Sequence, residues 1–332
     1  MSVVLVTGGT CYIGSHMVHQ LVQAGYAVTV LDDLSGGFAD AVRDAELVVG
    51  SIGDADLLDR LFTSHRFSAV VNFASFIQVG ESVQQPGKYY ANNVGNTLTL
   101  LEAMCRHKVL SYIFSSTAAI FGDPVYVPID EAHPQSPINP YGRSKLMVEQ
   151  ILKDLDHSHA LRSVCLRYFN AAGANPECHL GERHDPETHL MPLVLQVANG
   201  RRESVSVFGT DYDTPDGTCI RDYIHVEDLC AAHILALRHL LAGGDSRWYN
   251  LGNGAGFSVK EVIEVARQVT GRPIDVRYQA RRSGDPARLV ANSALIRADL
   301  GWTPRRSSLA TIVSDAWQWE LRYPWERKPG FP

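Results

Sequence analysis

A short apolar run, residues 3–6, leads straight into Thr7-Gly8-Gly9-Thr10-Cys11-Tyr12-Ile13-Gly14, and a helical stretch follows at residues 15–24. No other feature limits the fold as much. A glycine turn between a buried strand and a helix lets backbone N–H groups and the positive helix N-terminus close on an anion, and it opens a βαβ unit. Asp32 closes the next apolar run, residues 27–31. A carboxylate at that spacing accepts from the ribose hydroxyls of a dinucleotide. No basic side chain stands beside it in Asp32-Asp33-Leu34 to receive a 2′-phosphate. The segment predicts a dinucleotide site, with NAD favoured over NADP.

Residues 47–49, 69–72 and 112–115 read as further strands, short, apolar and β-branched enough to be buried on both faces. Helical stretches at residues 55–63 and 86–107 alternate with them. The second opens on Pro86, which suits a first helical turn because its missing N–H would have no partner there. One more strand, residues 163–167, follows a helix that starts near Tyr141. Such alternation predicts right-handed crossovers and an α/β fold with a doubly wound parallel sheet of Rossmann type.

The character changes beyond about Asn170. Residues 171–192 are irregular and polar, with Gly173, Pro176, Gly181 and Pro186, as expected of a segment that covers a ligand. Ser258 and Glu261 form a capping-box signature for a helix to about Thr270. A last helix over residues 308–322 carries Leu309, Ile312, Val313, Ala316 and Trp317 at the spacing of a packed face. The expected division is a nucleotide-binding domain, residues 1–169, and a smaller mixed α/β domain, residues 170–332, with part of 220–252 returning to the first.

Composition removes several function classes. Hydrophobic residues at 45% and charged residues at 20% exclude a disordered chain. With 30 Lys+Arg against 36 Asp+Glu, the net charge of -6 argues against nucleic-acid or anionic-membrane partners, which need a basic face. No apolar stretch approaches the ~20 residues of a membrane helix, and no basic region precedes residues 3–6 as in a signal peptide. Cys11, Cys105, Cys165, Cys178, Cys219 and Cys230 form no C-x-x-C pair, which suits reduced thiols in the cytoplasm. Cys178, His179, His184, Asp185 and His189 crowd one loop, but their spacing fits no tight ligand pattern and no metal is expected.

Tyr141-Gly142-Arg143-Ser144-Lys145 is a second constellation. On a helix, positions i and i+4 share a face, so the phenol and the ammonium point the same way. A free tyrosine, with a pKa of ~10, is a poor base near neutrality. A neighbouring Lys⁺ and an oxidised nicotinamide both favour the phenolate, which lets Tyr141 take a proton from an alcohol as hydride leaves. Thr117, just past the fifth strand, supplies a hydroxyl to the same oxygen. Taken alone, the pair reads more readily as an ordinary surface pair; the glycine turn and strand-end hydroxyl turn the balance to catalysis.

The chain resembles the extended short-chain dehydrogenase/reductase family, and within it the UDP-hexose 4-epimerases. The segments that carry the resemblance are residues 12–16, 79–83, 92–94, 141–145, 167–170, 217–226 and 284–286, so it spans nearly the whole chain. It implies reversible inversion at C4 of UDP-galactose and UDP-glucose through a 4-keto sugar, with tightly held NAD. Thr117, Tyr141 and Lys145 are then the catalytic hydroxyl, base and helper. Gly8, Cys11, Tyr12, Ile13, Gly14, Asp32, Ser51, Ile52, Phe73, Ala74, Asn93 and Tyr168 join Tyr141 and Lys145 around the cofactor. Asn170, His189, Leu190, Phe208, Arg221, Arg282, Asp285 and Leu289, with Thr117, hold the UDP-sugar. Guanidinium groups bind a diphosphate in a fork, which agrees with the arginines, and uracil is expected to stack on Phe208. The resemblance also implies a homodimer in which the helices at 86–107 and from Tyr141 pair across a two-fold axis. Leu98, Leu101, Met104, Leu146 and Ile151 read as their surplus apolar positions.

Departures from the family pattern concentrate at contacts. Cys11 takes the place of the middle glycine, where its side chain is expected to crowd the pyrophosphate or strain the backbone and so weaken NAD binding. Ser51 stands where many members have Asp, Ile77 where some have Lys, and His189 where some have Asn. Leu289 stands where a Tyr restricts members to glucose and galactose, so weaker activity on UDP-N-acetylhexosamines is expected. Two rivals are a nucleotide-sugar 4,6-dehydratase and a catalytically silent NAD or nucleotide-sugar sensor. The dehydratase needs an acid and a base after the hydroxyl residue, where this chain has Ala118-Ala119.

Overall fold

The computed structural model describes residues 2–177, 179–282, 285–323 and 325. Six strands come first in the chain: β1 (Val3–Thr7), β2 (Ala27–Asp32), β3 (Glu46–Val49), β4 (Phe67–Asn72), β5 (Ser111–Thr117) and β6 (Arg162–Tyr168). A seventh, Arg247–Leu251, pairs with β6 from far along the chain. Across the sheet the order is Arg247–Leu251, β6, β5, β4, β1, β2, β3. Every neighbouring pair is parallel. The doubly wound sheet expected from the alternation is present.

Helices cover both faces because the strands are apolar on both. On one face Val4, Val6, Val71 and Leu166 pack with the Tyr12–Gln23 and Val226–Leu241 helices. On the other, Leu5, Val70, Tyr112 and Phe114 meet the Ala55–Ser64, Thr97–Arg106 and Pro140–His159 helices. Each such fully buried Val or Leu is worth about 1.5–3 kcal/mol. A third core joins the Leu190–Ala198, Val259–Thr270 and Leu309–Arg322 helices through Val194, Ile263 and Val313. The capping box at Ser258 and Glu261 is formed, with each group bonding the other's backbone.

The chain runs outward from β1 in both directions, so the carboxyl ends of β1 and β4 flank the point where the winding reverses. Ligands of open α/β sheets bind at that crevice. The stretch expected as one helix over 86–107 is interrupted. Pro86–Tyr89 and Thr97–Arg106 are α-helical, and a wider π turn spans Tyr90–Asn96 between them. Such bulges recur at functional sites because they re-aim a side chain, here Asn93. Leu101 and Met104 are fully buried in the core, which corrects their reading as surplus surface; Leu98 and Met147 are the exposed apolar positions of these helices.

Candidate active site

The glycine turn is shaped by close approach. Gly8 has φ +72, and a Cβ on it would stand 2.6 Å from backbone atoms of Phe73 and Ala74. A Cβ on Gly14 would overlap the Gly8 carbonyl, so helix and turn touch backbone to backbone. Cys11 is the N-cap of the Tyr12–Gln23 helix and makes no side-chain cap bond. Its φ of -75 and ψ of 173 are ordinary extended values. The expected backbone strain at Cys11 is therefore absent, and only crowding by its side chain remains. Burial, helped by Asp32 and Asp33, pushes its thiol up to about 12.

Asp32 lies beside the turn, with Oδ2 accepting from Thr10 N at 2.9 Å and Oδ1 from Leu34 N at 2.9 Å. Each oxygen keeps a lone pair, and among the described residues no cation pairs with this carboxylate. An uncapped helix end, two backbones in contact and an unneutralised carboxylate suit a dinucleotide with free ribose hydroxyls. Ser51 turns inward to accept from Gly53 N, and Ile52 is buried. Tyr12 is buried and donates to the Gly173 carbonyl at 2.7 Å, while Ile13 packs on the first core. Phe73 and Tyr168 both face His233, and Ala74 N donates to Asn72.

Thr117 ends β5, and Tyr141 and Lys145 stand on the Pro140–His159 helix that follows. Pro140 occupies the first turn and Asn139 caps it, accepting from Gly142 N at 2.8 Å. That cap fixes where the phenol starts. Lys145 Nζ donates to the Ser115 carbonyl and to Ser75 Oγ, both at 2.8 Å, and lies 6.0 Å from the centre of the Tyr141 ring. Burial raises the Tyr141 phenol, with the Thr117 hydroxyl pulling the other way. Burial lowers Lys145 to about 7, against the pull of Glu149. The protein's own groups thus do not lower the phenol as the helical spacing suggested, because burial outweighs the Thr117 hydroxyl.

Asn93 does not offer its carboxamide to a ligand. It accepts from Phe76 N at 2.9 Å, and donates to the Phe76 carbonyl at 3.0 Å and Ser144 Oγ at 3.2 Å. The π turn thereby latches the loop after β4 to the catalytic helix. Ile77 is exposed.

The residues expected around the sugar nucleotide lie mostly on short strands. Ile220–Arg221 pairs with Arg288–Leu289, setting Leu289 beside Arg221. Leu289 also packs on Ala118, Ile120, Phe121 and Ile129, the apolar cluster just past Thr117. Asn170 donates to the Asp222 carbonyl. Arg221 is paired with Asp285 and bonds the Ile220 and Pro286 carbonyls, so these two expected contacts are spent on each other. Arg282 lies 3.8 Å over the Phe208 ring. Arg282 thus occupies one face of Phe208, the ring on which uracil is expected to stack. His189 caps the Leu190–Ala198 helix, whose first residue is Leu190. Of the loop cluster noted in the sequence, Cys178 falls outside the described residues, as does Gly284 of the segment at 284–286.

Three supporting groups escaped the sequence reading. Ser75 and Ser115 hold Lys145. Buried Glu149, one turn beyond Lys145, pairs with Arg167 at 2.6 Å and accepts from Ser116 at 2.6 Å. Asp222 accepts from the backbones of Asn253, Gly254 and Ala291, tying distant loops behind Arg221. Only the i+4 spacing of Glu149 from Lys145 was available as a signal.

Fold and site together have the make-up of a dinucleotide-dependent α/β enzyme, with a glycine turn and a buried Tyr/Lys pair. The sequence comparisons carry this further. The chain belongs to the NAD dependent epimerase/dehydratase family, whose profile matches residues 4–252. It is 54% identical to a UDP-glucose 4-epimerase of Halalkalibacterium halodurans, over 97% of this chain and 96% of that one. It is 52% identical to a UDP-glucose 4-epimerase of Azospirillum brasilense, over 96% and 91% of the two chains. The crystal structure of UDP-glucose 4-epimerase from Brucella ovis in complex with NAD superposes with a TM-score of 0.94 at 47% identity, covering 96% of this chain and 98% of that one.

Proposed function

We propose that this chain inverts UDP-hexoses at C4, interconverting UDP-galactose and UDP-glucose with NAD as its resident cofactor. The observation that carries the reading is the juxtaposition of Thr117, Tyr141 and Lys145, in a chain about half identical to the UDP-glucose 4-epimerases of Halalkalibacterium halodurans and Azospirillum brasilense. The turn amides of Tyr12–Gln23 would hold the pyrophosphate and Asp32 the adenosine ribose. NAD, when bound, supplies the acceptor and donor of hydride at the sugar's C4, and a positive charge beside the phenol.

Tyr141 Oη takes the proton of the sugar's 4-hydroxyl and returns it after the inversion, so no proton is gained or lost over the cycle. Thr117 Oγ1 orients that same oxygen. Lys145, held by Ser75 and Ser115, keeps its Nζ near the phenol and limits the cost of the phenolate. The 4-keto sugar must turn over before it is reduced on its other face. A site that grips the uridine diphosphate and leaves the hexose loose permits this. Arg282, with Arg221 once Asp285 shares it, supplies fork-shaped donors for the diphosphate.

The dehydratase reading fails at Ala118 and Ala119, which form the turn after Thr117 and bring no acid or base. The complete Thr/Tyr/Lys set disfavours a silent sensor. Exposed Leu98 and Met147, on two neighbouring helices, support a two-fold homodimer through those helices. Cys11, Cys105, Cys165, Cys219 and Cys230 are unpaired, in keeping with a reducing cytoplasm. The test is incubation of the purified protein with UDP-galactose and no added reductant. UDP-glucose should accumulate, and Tyr141→Phe should slow this ~100-fold or more. Wild-type turnover by that variant would remove Tyr141 as the base.

A further inference from the structure

The irregular segment ahead of the Leu190–Ala198 helix brings together Glu182, His184, Glu187 and His189, with one donor atom of each within 4.8 Å of all the others. Their order repeats Glu-x-His twice, five residues apart, a signal absent from the loop group of Cys178, His179, His184, Asp185 and His189 for which no metal was expected, because that group left out Glu182 and Glu187. Both imidazoles turn Nδ1 toward the two carboxylates. His184 Nδ1 lies 3.3 Å from Glu182 and 3.5 Å from Glu187. His189 Nδ1 lies 2.7 Å from Glu182 and 3.4 Å from Glu187.

Ordinary hydrogen bonding accounts for one contact, His189 to Glu182 at 2.7 Å, and poorly for the rest. Three of the four separations exceed the usual range of ~2.7–3.2 Å, and the buried Nδ1 of His184 has no hydrogen-bond partner. Three of the separations, 3.3, 3.4 and 3.5 Å, match the edge of a tetrahedron whose centre lies ~2.0–2.1 Å from each corner, the bond length of zinc to His nitrogen and carboxylate oxygen, and the fourth is shorter. The two carboxylates are 7% exposed and need compensation. Arg201, which lines the cavity beside the cluster, is engaged by Glu320 at 2.8 Å. Two neutral imidazoles, two carboxylates and one divalent ion sum to zero charge, which makes burial tolerable. A cavity of about 40 Å³, lined by Glu182, His184, Glu187 and Trp325 among others, opens on the cluster and gives an ion its way in.

We propose that Glu182, His184, Glu187 and His189 form a structural site for one zinc-like divalent cation. The nitrogen donors favour zinc over magnesium or calcium, which take oxygen ligands. Four protein ligands close the site and leave no position for substrate, so it holds structure and does no chemistry. What it holds is the entry to the Leu190–Ala198 helix, since His189 is that helix's N-cap. The site rests on its own geometry and stands whether or not the epimerase reading does.

The test uses the full, tag-free protein. After treatment with a chelator it is titrated with zinc chloride, passed through a desalting column and assayed for metal by atomic spectroscopy. One zinc should be retained per chain, and His184→Ala should weaken retention ~100-fold or more. The same stripped protein loaded with cobalt(II) should show the strong visible bands of a tetrahedral site, a readout that needs no variant. A parent chain that retains no zinc, cobalt spectra of octahedral type, or undiminished retention in a folded His184→Ala chain would each overturn the proposal.

Discussion

Lys145 Nζ stands 6.0 Å from the centre of the Tyr141 ring on the same face of one helix, yet burial favours the neutral form of each. The phenol is raised and the ammonium lowered to about 7, so at neutral pH the protein alone keeps the phenol neutral and the lysine only partly charged. Catalysis therefore needs a further positive charge, which a bound oxidised nicotinamide brings. The helix supplies placement and the ligand completes the electrostatics.

Lys145 should leave a signature in stability. Its folded pKa of about 7 lies below the ordinary 10.5, so between these values the unfolded chain binds a proton that the folded chain does not. Stability from this group is fully present above 10.5 and is lost as pH falls toward 7. The slope reaches about 1.4 kcal/mol per pH unit. Lys145→Met, which carries no such charge, should be at least as stable as the parent at pH ~6 in nicotinamide-free protein. Its advantage should shrink as pH rises from ~7 to ~10. Urea denaturation at several pH values measures this; an advantage independent of pH would contradict the assignment.

The Glu149–Arg167 pair is a structural dependency behind the catalytic helix. Both side chains are essentially inaccessible, at 1% and 3% exposure, and Ser116 completes the carboxylate's bonding. Glu149→Ala leaves a buried guanidinium without its partner and should cost about 3–5 kcal/mol in urea denaturation. A loss under about 1 kcal/mol, the range of an exposed pair, would show that water or another group takes over.

Much of this was legible in the sequence because it is local. Strands buried on both faces read as unbroken apolar runs, and the glycine turn and the Tyr/Lys pair are set by spacing within a few residues. What stayed hidden depends on closure over long distances. Glu149 meets Arg167 only when the helix lies back on β6. Asp222 collects three backbone amides from residues 253, 254 and 291, and backbone donors leave no mark in composition. The pairing of Arg221 with Asp285 likewise shows how two expected ligand contacts can first satisfy each other.

Cys11 should prove chemically quiet and sterically costly. With its thiol pushed from 9.0 to about 12, its thiolate fraction near neutrality falls about 1000-fold. Iodoacetamide should accordingly label it far more slowly than an ordinary exposed cysteine, as read by peptide mass spectrometry. Its extended backbone suits any residue, so Cys11→Gly relieves only the side chain at the helix N-terminus. That variant should retain more nicotinamide through gel filtration than the parent. Equal retention would show that Sγ does not reach the pyrophosphate.

Leu289 should set how broad the proposed sugar site is. It lies beside Arg221 in the strand pairing and packs on the apolar cluster immediately past Thr117, between the proposed diphosphate contact and the proposed catalytic hydroxyl. Its side chain is smaller than Tyr and presents only carbon to its surroundings. A substituent on the hexose at C2 gains an apolar wall there, but an acetamido group also brings an N–H and a carbonyl that cost free energy unless bonded. UDP-galactose and UDP-glucose should therefore be the better substrates, with weaker yet measurable turnover of UDP-N-acetylglucosamine. Leu289→Tyr adds a ring where only the acetamido group would lie, so it should lower kcat/KM for the N-acetyl substrate ~10–200-fold more than for the hexose. Steady-state assays of both substrates on the same preparation decide the matter. Equal losses on the two would mean that Leu289 supports the fold of this corner and does not gate the pocket.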